Sequence, residues 1–306
     1  MKHSLLEIYR FKVETRFIDS SLLPSFKGAT LRGAFGIALR ETVCVDRKNQ
    51  NCSTCLIHQG CAYKQIFSVE IEKDSQYMNI PSPIILEPPY ENQRFYDKGS
   101  KFNFGCIVIG RMVEYFPYLV LGIKKMGEKG IGIKGHRGAF KLLKIRSKNK
   151  IVYDGEKEVL REFRYPEKIK CPTSSIENLT LRFISPTRIK ADGNLINGLP
   201  FPLLIKTLLR RISLLKKNYC QDSQLNLDYN TLIEKACKVE VISCNLRWYD
   251  WERFSTRQKT AMKLGGFIGE ISYAGNFNDF MEYLKIGELI HIGKNTSFGL
   301  GKYVIV

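Results

Sequence analysis

The chain is organised around HIGKNTSFGLGKY, residues 291–303. Its three glycines follow a Gly-x5-Gly-x-Gly spacing and enclose a lysine and small hydroxyl or amide residues. Glycines let the backbone come close to a ligand and present N–H groups to an anion such as phosphate. The spacing is neither the dinucleotide fingerprint nor a Walker loop. The alternative interpretation is a glycine-rich turn into a last strand, residues 302–306, and the rest of the chain has to decide between the two.

Composition limits the classes of partner. The 306 residues include 48 Lys and Arg against 30 Asp and Glu, a formal net charge of +18. Such a surplus favours a polyanion, above all nucleic acid, although solubility or an anionic membrane surface would also account for it. We expect no membrane partner, because no apolar run is long enough to span a bilayer.

The cysteine count bears on the compartment. Nine cysteines is an odd number, which argues against a disulfide framework. The N-terminus runs directly into an alternating segment, so we expect no signal peptide. Together these features predict a cytoplasmic protein.

The first half of the chain shows one strand, a helix and further strands in a recognisable order. Residues 5–17 alternate as a half-buried strand, and residues 25–40 have helical periodicity behind an N-cap at Ser25. Glycines 28, 33 and 36 in that helix predict the close approach of a sheet or a ligand. A proline-rich loop or edge segment (79–95), a strand (102–116), a helix (117–126), a glycine-rich loop (127–138) and a strand (140–152) follow.

The second half repeats the order. We predict a strand at 179–189, a turn at Gly193, helices at 200–217 and 229–238, strands ending at Trp248 and spanning 266–273, a helix at 277–289 and the last strand. The fold class is therefore α+β, with two tandem ferredoxin-like (βαββαβ, RRM-like) domains. Residues 1–170 form the first domain, with a cysteine-rich insert at 44–61. Residues 171–306 form the second, with the glycine-rich loop 291–303. Open faces of such sheets commonly bind single-stranded RNA.

Four cysteines cluster in the first domain as Cys44-x7-Cys52-x2-Cys55-x5-Cys61. Thiolates this close repel one another unless a soft cation neutralises them, so the spacing favours a structural zinc ion or an iron–sulfur cluster. Reduced, unligated cysteines are the alternative. In either case we expect the insert to support the fold rather than the chemistry.

A basic segment coincides with the glycine loop of the first domain. Ten Lys or Arg residues and one acidic residue, Glu128, lie between Lys124 and Lys150. A solvated basic face is the usual explanation for such a run, but its overlap with a glycine loop favours phosphate contact.

Several stretches resemble one known family: residues 292–301, 27–35, 181–190, and 248–266 with Arg257-Gln258-Lys259. They are similar to the CRISPR-associated precursor-RNA processing endoribonucleases of the RAMP superfamily, over nearly the whole chain. The family loop often opens Gly-hydrophobic-Gly, whereas His291 holds that first position here.

The resemblance implies metal-independent cleavage of CRISPR repeat RNA. The 2′-hydroxyl attacks the scissile phosphate and leaves a 2′,3′-cyclic phosphate and a 5′-hydroxyl, with no cofactor for catalysis. The partners implied are repeat RNA or crRNA and proteins of a CRISPR effector complex. A non-catalytic crRNA-binding RAMP subunit of such a complex, and a metal-cluster protein, are the alternatives.

The same resemblance directs the choice of site residues. The family's catalytic group usually comes from the first helix or the loop after it, but this helix contains no histidine. We therefore expect His136 or His291 as general base, because histidine titrates near neutrality, and Lys27 and Arg32 to stabilise the phosphorane. The residues expected to bind RNA are Lys134, Arg137, Arg188, Lys190, Arg257, Lys259, Gly293, Lys294, Ser297, Gly299 and Gly301.

Overall fold

A computed structural model describes residues 5–46, 52–67, 80–163, 165–172, 174–191, 194–195, 198–221, 227–255, 260–263 and 265–306. The chain divides into two compact units. The N-terminal unit holds Glu7–Glu167 and Asn218–Gln221, and the C-terminal unit holds Met1–Leu6, Lys168–Lys217 and Asp222–Val306. The main division follows Glu167, close to the boundary expected after residue 170.

The N-terminal unit contains eight strands and three α-helices among its described residues. The strands are Ile8–Phe17 (β1), Ser21–Leu22 (β2), Ile84–Glu87 (β3), Phe95–Tyr96 (β4), Phe104–Ile109 (β5), Phe140–Ser147 (β6), Lys150–Asp154 (β7) and Val159–Leu160 (β8). The helices are Gly28–Val43 (α1), Ala62–Phe67 (α2) and Phe116–Lys129 (α3), and short 3₁₀ helices span Cys52–Thr54 and Gly110–Tyr115.

The main sheet of this unit has the order β3-β5-β1-β6-β7-β8, and every pairing in it is antiparallel. Its first four strands give the ferredoxin-like order, with β1 and β5 in the middle. The proline-rich segment supplies the edge strand β3. The strand predicted over 102–116 is shorter, because the chain turns at Gly110, which has a φ of 59°, into a 3₁₀ helix.

Strand β1 shows why the sheet is half buried. Phe11 and Val13 are buried in the core, whereas Arg10, Lys12 and Arg16 alternate with them and are exposed. Side chains on a strand point alternately to opposite faces, so one face packs against the helices and the other carries charge.

Helix α1 begins at Gly28, and its N-cap is Lys27 without a side-chain cap bond, so the expected cap at Ser25 is wrong. The close approach predicted by its glycines occurs at Gly36. A Cβ there would lie 2.2 Å from the ring of Phe67 in α2. The approaching group is thus part of the protein rather than a ligand.

The C-terminal unit repeats the plan. Its strands are Asn178–Thr187 (β9), Lys190–Ala191 (β10), Asn194–Leu195 (β11), Glu240–Tyr249 (β12), Glu252–Ser255 (β13), Thr260–Lys263 (β14), Gly266–Ala274 (β15) and Tyr303–Ile305 (β16). Its helices are Phe201–Tyr219 (α4), Tyr229–Ala236 (α5) and Met281–Ile290 (α6), with a 3₁₀ helix at Thr296–Phe298. The main sheet is antiparallel with the order β12-β15-β9-β16.

Both units therefore have the predicted α+β, ferredoxin-like topology. Aromatic rings fill the C-terminal core. Phe183 on β9 contacts Phe267 and Tyr303 at ring-centroid distances of 5.0 and 5.7 Å. Within the described parts of the chain, no helix has the length and apolar character needed to cross a membrane.

Candidate functional site

The glycine-rich loop after α3 closes into a small hairpin, residues 131–138, which we call the glycine hairpin. Ile131 and Gly138 exchange two backbone hydrogen bonds of 3.0 Å. At the tip, the His136 N–H donates to the Ile133 carbonyl at 3.0 Å, and Gly135 between them has a φ of 86°. A type II turn places a residue of positive φ at this position, which glycine adopts without a steric penalty.

The tip is fixed to strand β2. The Ile133 N–H donates to the Leu22 carbonyl at 2.9 Å, and the Leu22 N–H donates to the His136 carbonyl at 3.0 Å. Two hydrogen bonds to one residue hold both ends of the turn, so His136 has a defined backbone position.

The side chains at the tip are exposed. Lys134, His136 and Arg137 all reach solvent. Some other cations of the basic segment are paired with carboxylates, among them Lys124 with Glu158 at 2.6 Å and Lys125 with Glu128 at 2.9 Å. Within the described residues no ion pair of Lys134 or Arg137 is found, so the hairpin presents unneutralised positive charge beside an exposed imidazole.

Lys27 and Arg32 lie elsewhere, in and before helix α1. Lys27 is 1% exposed, and its Nζ donates to the Glu91 carbonyl at 2.7 Å. Arg32 is 5% exposed, and its guanidinium carbon lies 3.6 Å from the centre of the Phe67 ring. Burial lowers the pKa of Lys27 and lowers that of Arg32 to about 9. Neither cation, as placed, can contact a phosphate, so their role at the phosphorane stays a prediction.

His291 is also enclosed. It is the C-cap of α6, has a φ of 61° and is fully buried. Its Nδ1 lies 3.0 Å from the Leu300 carbonyl, which ties the start of the C-terminal loop to its end. Of the two histidines predicted as the general base, only His136 exposes its ring; the role of His291 stays a prediction.

The glycines of the C-terminal loop are required by the chain itself. Gly293 and Gly301 have φ of 84° and 76°. A Cβ on Gly293 would lie 2.4 Å from the Arg188 carbonyl, and one on Gly301 would lie 1.8 Å from the Ile292 carbonyl. The turn interpretation therefore accounts for both glycines without a ligand. Gly299, with a φ of 80°, ends the 3₁₀ helix.

The loop still presents polar groups at its surface. Lys294 is exposed and Ser297 half-buried, and the Lys294 N–H donates to the Arg188 carbonyl at 2.9 Å. Arg188 is half-buried, its Nη1 donates to the Gly265 carbonyl, and burial lowers its pKa. Its Nε is buried and has no hydrogen-bond partner within the described residues. The structure thus brings Arg188 and Lys294 together.

Three further residues predicted to bind RNA have different outcomes. Lys190 is exposed on β10. Arg257 and Lys259 lie outside the described residues, so their roles stay predictions.

A basic surface that sequence reasoning did not single out covers the open face of the N-terminal sheet. Register places Arg146 opposite Lys12 and Lys141 opposite Arg16, so these cations share the face that also carries Arg10. Glu14 accepts from Arg146 at 3.0 Å and partly neutralises this face. The signal was present in the sequence as the charged half of the β1 alternation.

The four clustered cysteines, Cys44, Cys52, Cys55 and Cys61, line one pocket together with His58. No cysteine in the part of the chain that the structure describes forms a disulfide. Within the described residues, no set of three or more His, Cys, Asp or Glu side chains is grouped so that it could hold a metal ion. The donor types suit a soft cation, but their arrangement here is not a closed metal site.

Both units have the ferredoxin-like fold, and family models match most of the chain. The chain belongs to the AF_1859_N family, whose N-terminal domain matches residues 6–165, and residues 181–303 match the CRISPR-associated endoribonuclease Cas6. The resemblance noted in the sequence is thereby confirmed.

Individual proteins match this chain over nearly its whole length. An uncharacterized protein of Archaeoglobus fulgidus is 25% identical over 98% of both chains. Thermus thermophilus Cas6 matches with a TM-score of 0.55 and 13% identity, over 98% of this chain and 99% of that one. A RAMP protein that binds different RNA substrates matches with a TM-score of 0.51 and 12% identity, over 97% and 99% of the two chains. At these identities the solved structures show a shared fold.

Proposed function

We propose that the protein is a metal-independent endoribonuclease that binds CRISPR repeat RNA and cleaves precursor crRNA. The observation that carries the proposal is His136, an exposed imidazole on a hairpin tip fixed by two hydrogen bonds, flanked by the exposed cations Lys134 and Arg137. The Cas6 match of residues 181–303 supports the substrate class, and the site supports the chemistry.

The proposed reaction is transesterification within the RNA. His136 removes the proton of the 2′-hydroxyl, and the 2′-oxygen forms a bond to the scissile phosphorus. The bond from phosphorus to the 5′-oxygen breaks, that oxygen takes a proton from water, and the resulting hydroxide takes back the proton held by His136. The products are a 2′,3′-cyclic phosphate and a 5′-hydroxyl. Lys134 and Arg137 stabilise the extra negative charge on the phosphorane.

The test is cleavage of a labelled repeat RNA in excess EDTA by the wild-type protein and by His136→Asn, which keeps a polar side chain of similar size. Removal of a general base typically costs about 100- to 10,000-fold in rate. We expect a single cut with a cyclic-phosphate end for the wild type, that loss of rate for the variant, and equal RNA affinity for both. Unchanged cleavage by His136→Asn would exclude His136 as the base, and cleavage that stops in EDTA would exclude metal independence.

A second candidate is a non-catalytic crRNA-binding subunit of a CRISPR effector complex. The observation that favours it is the burial of Lys27, Arg32 and His291, three of the four side chains predicted to act in catalysis. Tight binding of repeat RNA without any cut, across several repeats of the source genome, would support this candidate over the nuclease.

We also propose that Cys44, Cys52, Cys55 and Cys61 bind a structural zinc ion or iron–sulfur cluster, although the side chains would have to close around it. No catalytic step depends on this group. Metal analysis of the purified protein, beside a Cys52→Ser/Cys55→Ser variant, provides the test. One zinc per chain, or iron with sulfide, should be lost in the variant; a metal-free wild-type protein would leave reduced, unligated cysteines.

A further inference from the structure

We infer that Phe95 is a stacking platform for a nucleobase of the RNA next to the glycine hairpin. This inference rests on the proposed function, because it concerns the same RNA and the same surface. Phe95 is 55% exposed, which is unusual for a large aromatic ring on a strand. Single exposed apolar residues are common on protein surfaces. The evidence for a stacking role of Phe95 therefore comes from the residues around it.

The backbone fixes Phe95 relative to His136. Strand β2 lies between them. On one side of β2, the carbonyl and N–H of Leu22 bond to Ile133 and His136 of the hairpin. On the other side, Leu22 pairs with Phe95 of β4. Neighbouring strands lie about 4.8 Å apart, so two such steps put the backbones of His136 and Phe95 about 10 Å apart. Consecutive nucleotides of an extended strand cover such a distance.

The face that Phe95 presents follows from its neighbours. Tyr96 and Ser21, which pair one position along the ladder, are 0% and 1% exposed and point to the interior. Side chains alternate along a strand, so Phe95 and its partner Leu22 point to solvent. The ring is therefore a flat apolar surface presented outward.

The charges around the ring fit an RNA strand. Arg94 is exposed and bonded to Leu23 through both its carbonyl, at 2.8 Å, and its Nε, at 3.3 Å. Arg94 directly precedes Phe95 in the chain, and the exposed Lys134 and Arg137 lie on the hairpin beyond β2, so exposed cations occur along the backbone on either side of Phe95. Aromatic rings within basic grooves are how proteins bind unpaired bases, since every base has a π face.

The test uses repeat RNA with a 2′-deoxy sugar at the cut, so that binding is measured without cleavage, and compares the wild-type protein with Phe95→Ala, Phe95→Leu and Phe95→Trp. We expect Phe95→Ala and Phe95→Leu to bind about 5- to 100-fold more weakly and Phe95→Trp to bind as the wild type does. Tyr118→Ala, which removes another exposed aromatic ring on α3, is the matched control and should bind normally.

A spectroscopic readout separates stacking from a structural effect. With 2-aminopurine placed at successive positions of the RNA, one position should be quenched by the wild type and Phe95→Trp but not by Phe95→Leu. Wild-type affinity and quenching in Phe95→Leu would overturn the inference. Cleavage of unmodified RNA is scored in parallel. A wild-type protein that cuts, with Phe95→Leu binding normally, rejects only the platform; a protein that never cuts, with Phe95→Leu binding weakly, rejects only the nuclease.

Discussion

Replacement of Gly301 by alanine tests whether the C-terminal glycines serve the turn or a ligand. An alanine held at a φ of 76° costs about 1 to 2 kcal/mol. Its Cβ would lie 1.8 Å from the Ile292 carbonyl oxygen, so the two backbone segments must separate. That separation would lengthen or break two hydrogen bonds, one from Ile292 N–H to the Gly301 carbonyl and one from Gly301 N–H to the Pro186 carbonyl.

Each of these hydrogen bonds contributes about 0.5 to 1.5 kcal/mol, so the expected loss of stability is about 2 to 5 kcal/mol. With a urea m-value of about 2 kcal/mol/M, the unfolding midpoint should fall by about 1 to 2.5 M. Both tryptophans, Trp248 and Trp251, belong to the C-terminal unit, so tryptophan fluorescence follows the unfolding of that unit. Gly198→Ala is the control, because a Cβ there meets nothing within 4 Å.

A midpoint of Gly301→Ala equal to that of Gly198→Ala would refute the packing argument. If the same variant then bound repeat RNA poorly, the glycine would be needed by the ligand rather than by the turn. If Gly301→Ala loses much stability and also binds RNA more weakly, the weaker binding would follow from disruption of the loop's packing.

Three further predictions concern single side chains. His291→Ala should lower the free energy of unfolding by about 2 to 4 kcal/mol, because it removes a buried ring bonded to a carbonyl; a stable variant that no longer cleaves RNA would instead make His291 the base. Cys106 should resist iodoacetamide at pH 9 in the folded protein and react after denaturation, as read by mass spectrometry, because burial raises its pKa to about 12. Since the folded state then holds the proton more tightly, the contribution of this thiol to stability falls as the pH rises above about 9. Lys294→Ala should weaken RNA binding similarly for all sequences and reduce the slope of log K against log salt by about 0.7; an unchanged slope would remove Lys294 from the interface.

Much of the fold could be predicted because it depends on periodicity. The alternation in β1 and the helical spacing in α4 each indicate one buried face, and their order repeats in both halves. The helix start was misplaced because Ser25 has the right chemistry for a cap, yet the chain enters helix only at Gly28 with no side-chain cap. The capping preference of a single residue does not show at which residue tertiary packing makes the helix begin.

The site was harder to predict because burial depends on tertiary contacts. Lys27 and Arg32 carry charges that usually reach solvent, but the Glu91 carbonyl and the Phe67 ring enclose them. Phe95 could not be predicted as a site residue because its strand has only two residues, too few to show an alternation of apolar and polar side chains. His136 was found because a histidine within a basic glycine loop is a local signal.

The two-sided character of β1 also constrains how this strand can change over evolutionary time. Exchange of one cation for another at Arg10, Lys12 or Arg16 leaves the pleat intact, because these side chains leave the core untouched. A one-residue deletion within the strand would turn every following side chain to the opposite face. Charges would enter the layer now filled by Phe11 and Val13. We therefore expect homologous chains to vary in side-chain type on the open face of β1 while keeping the length of this strand unchanged.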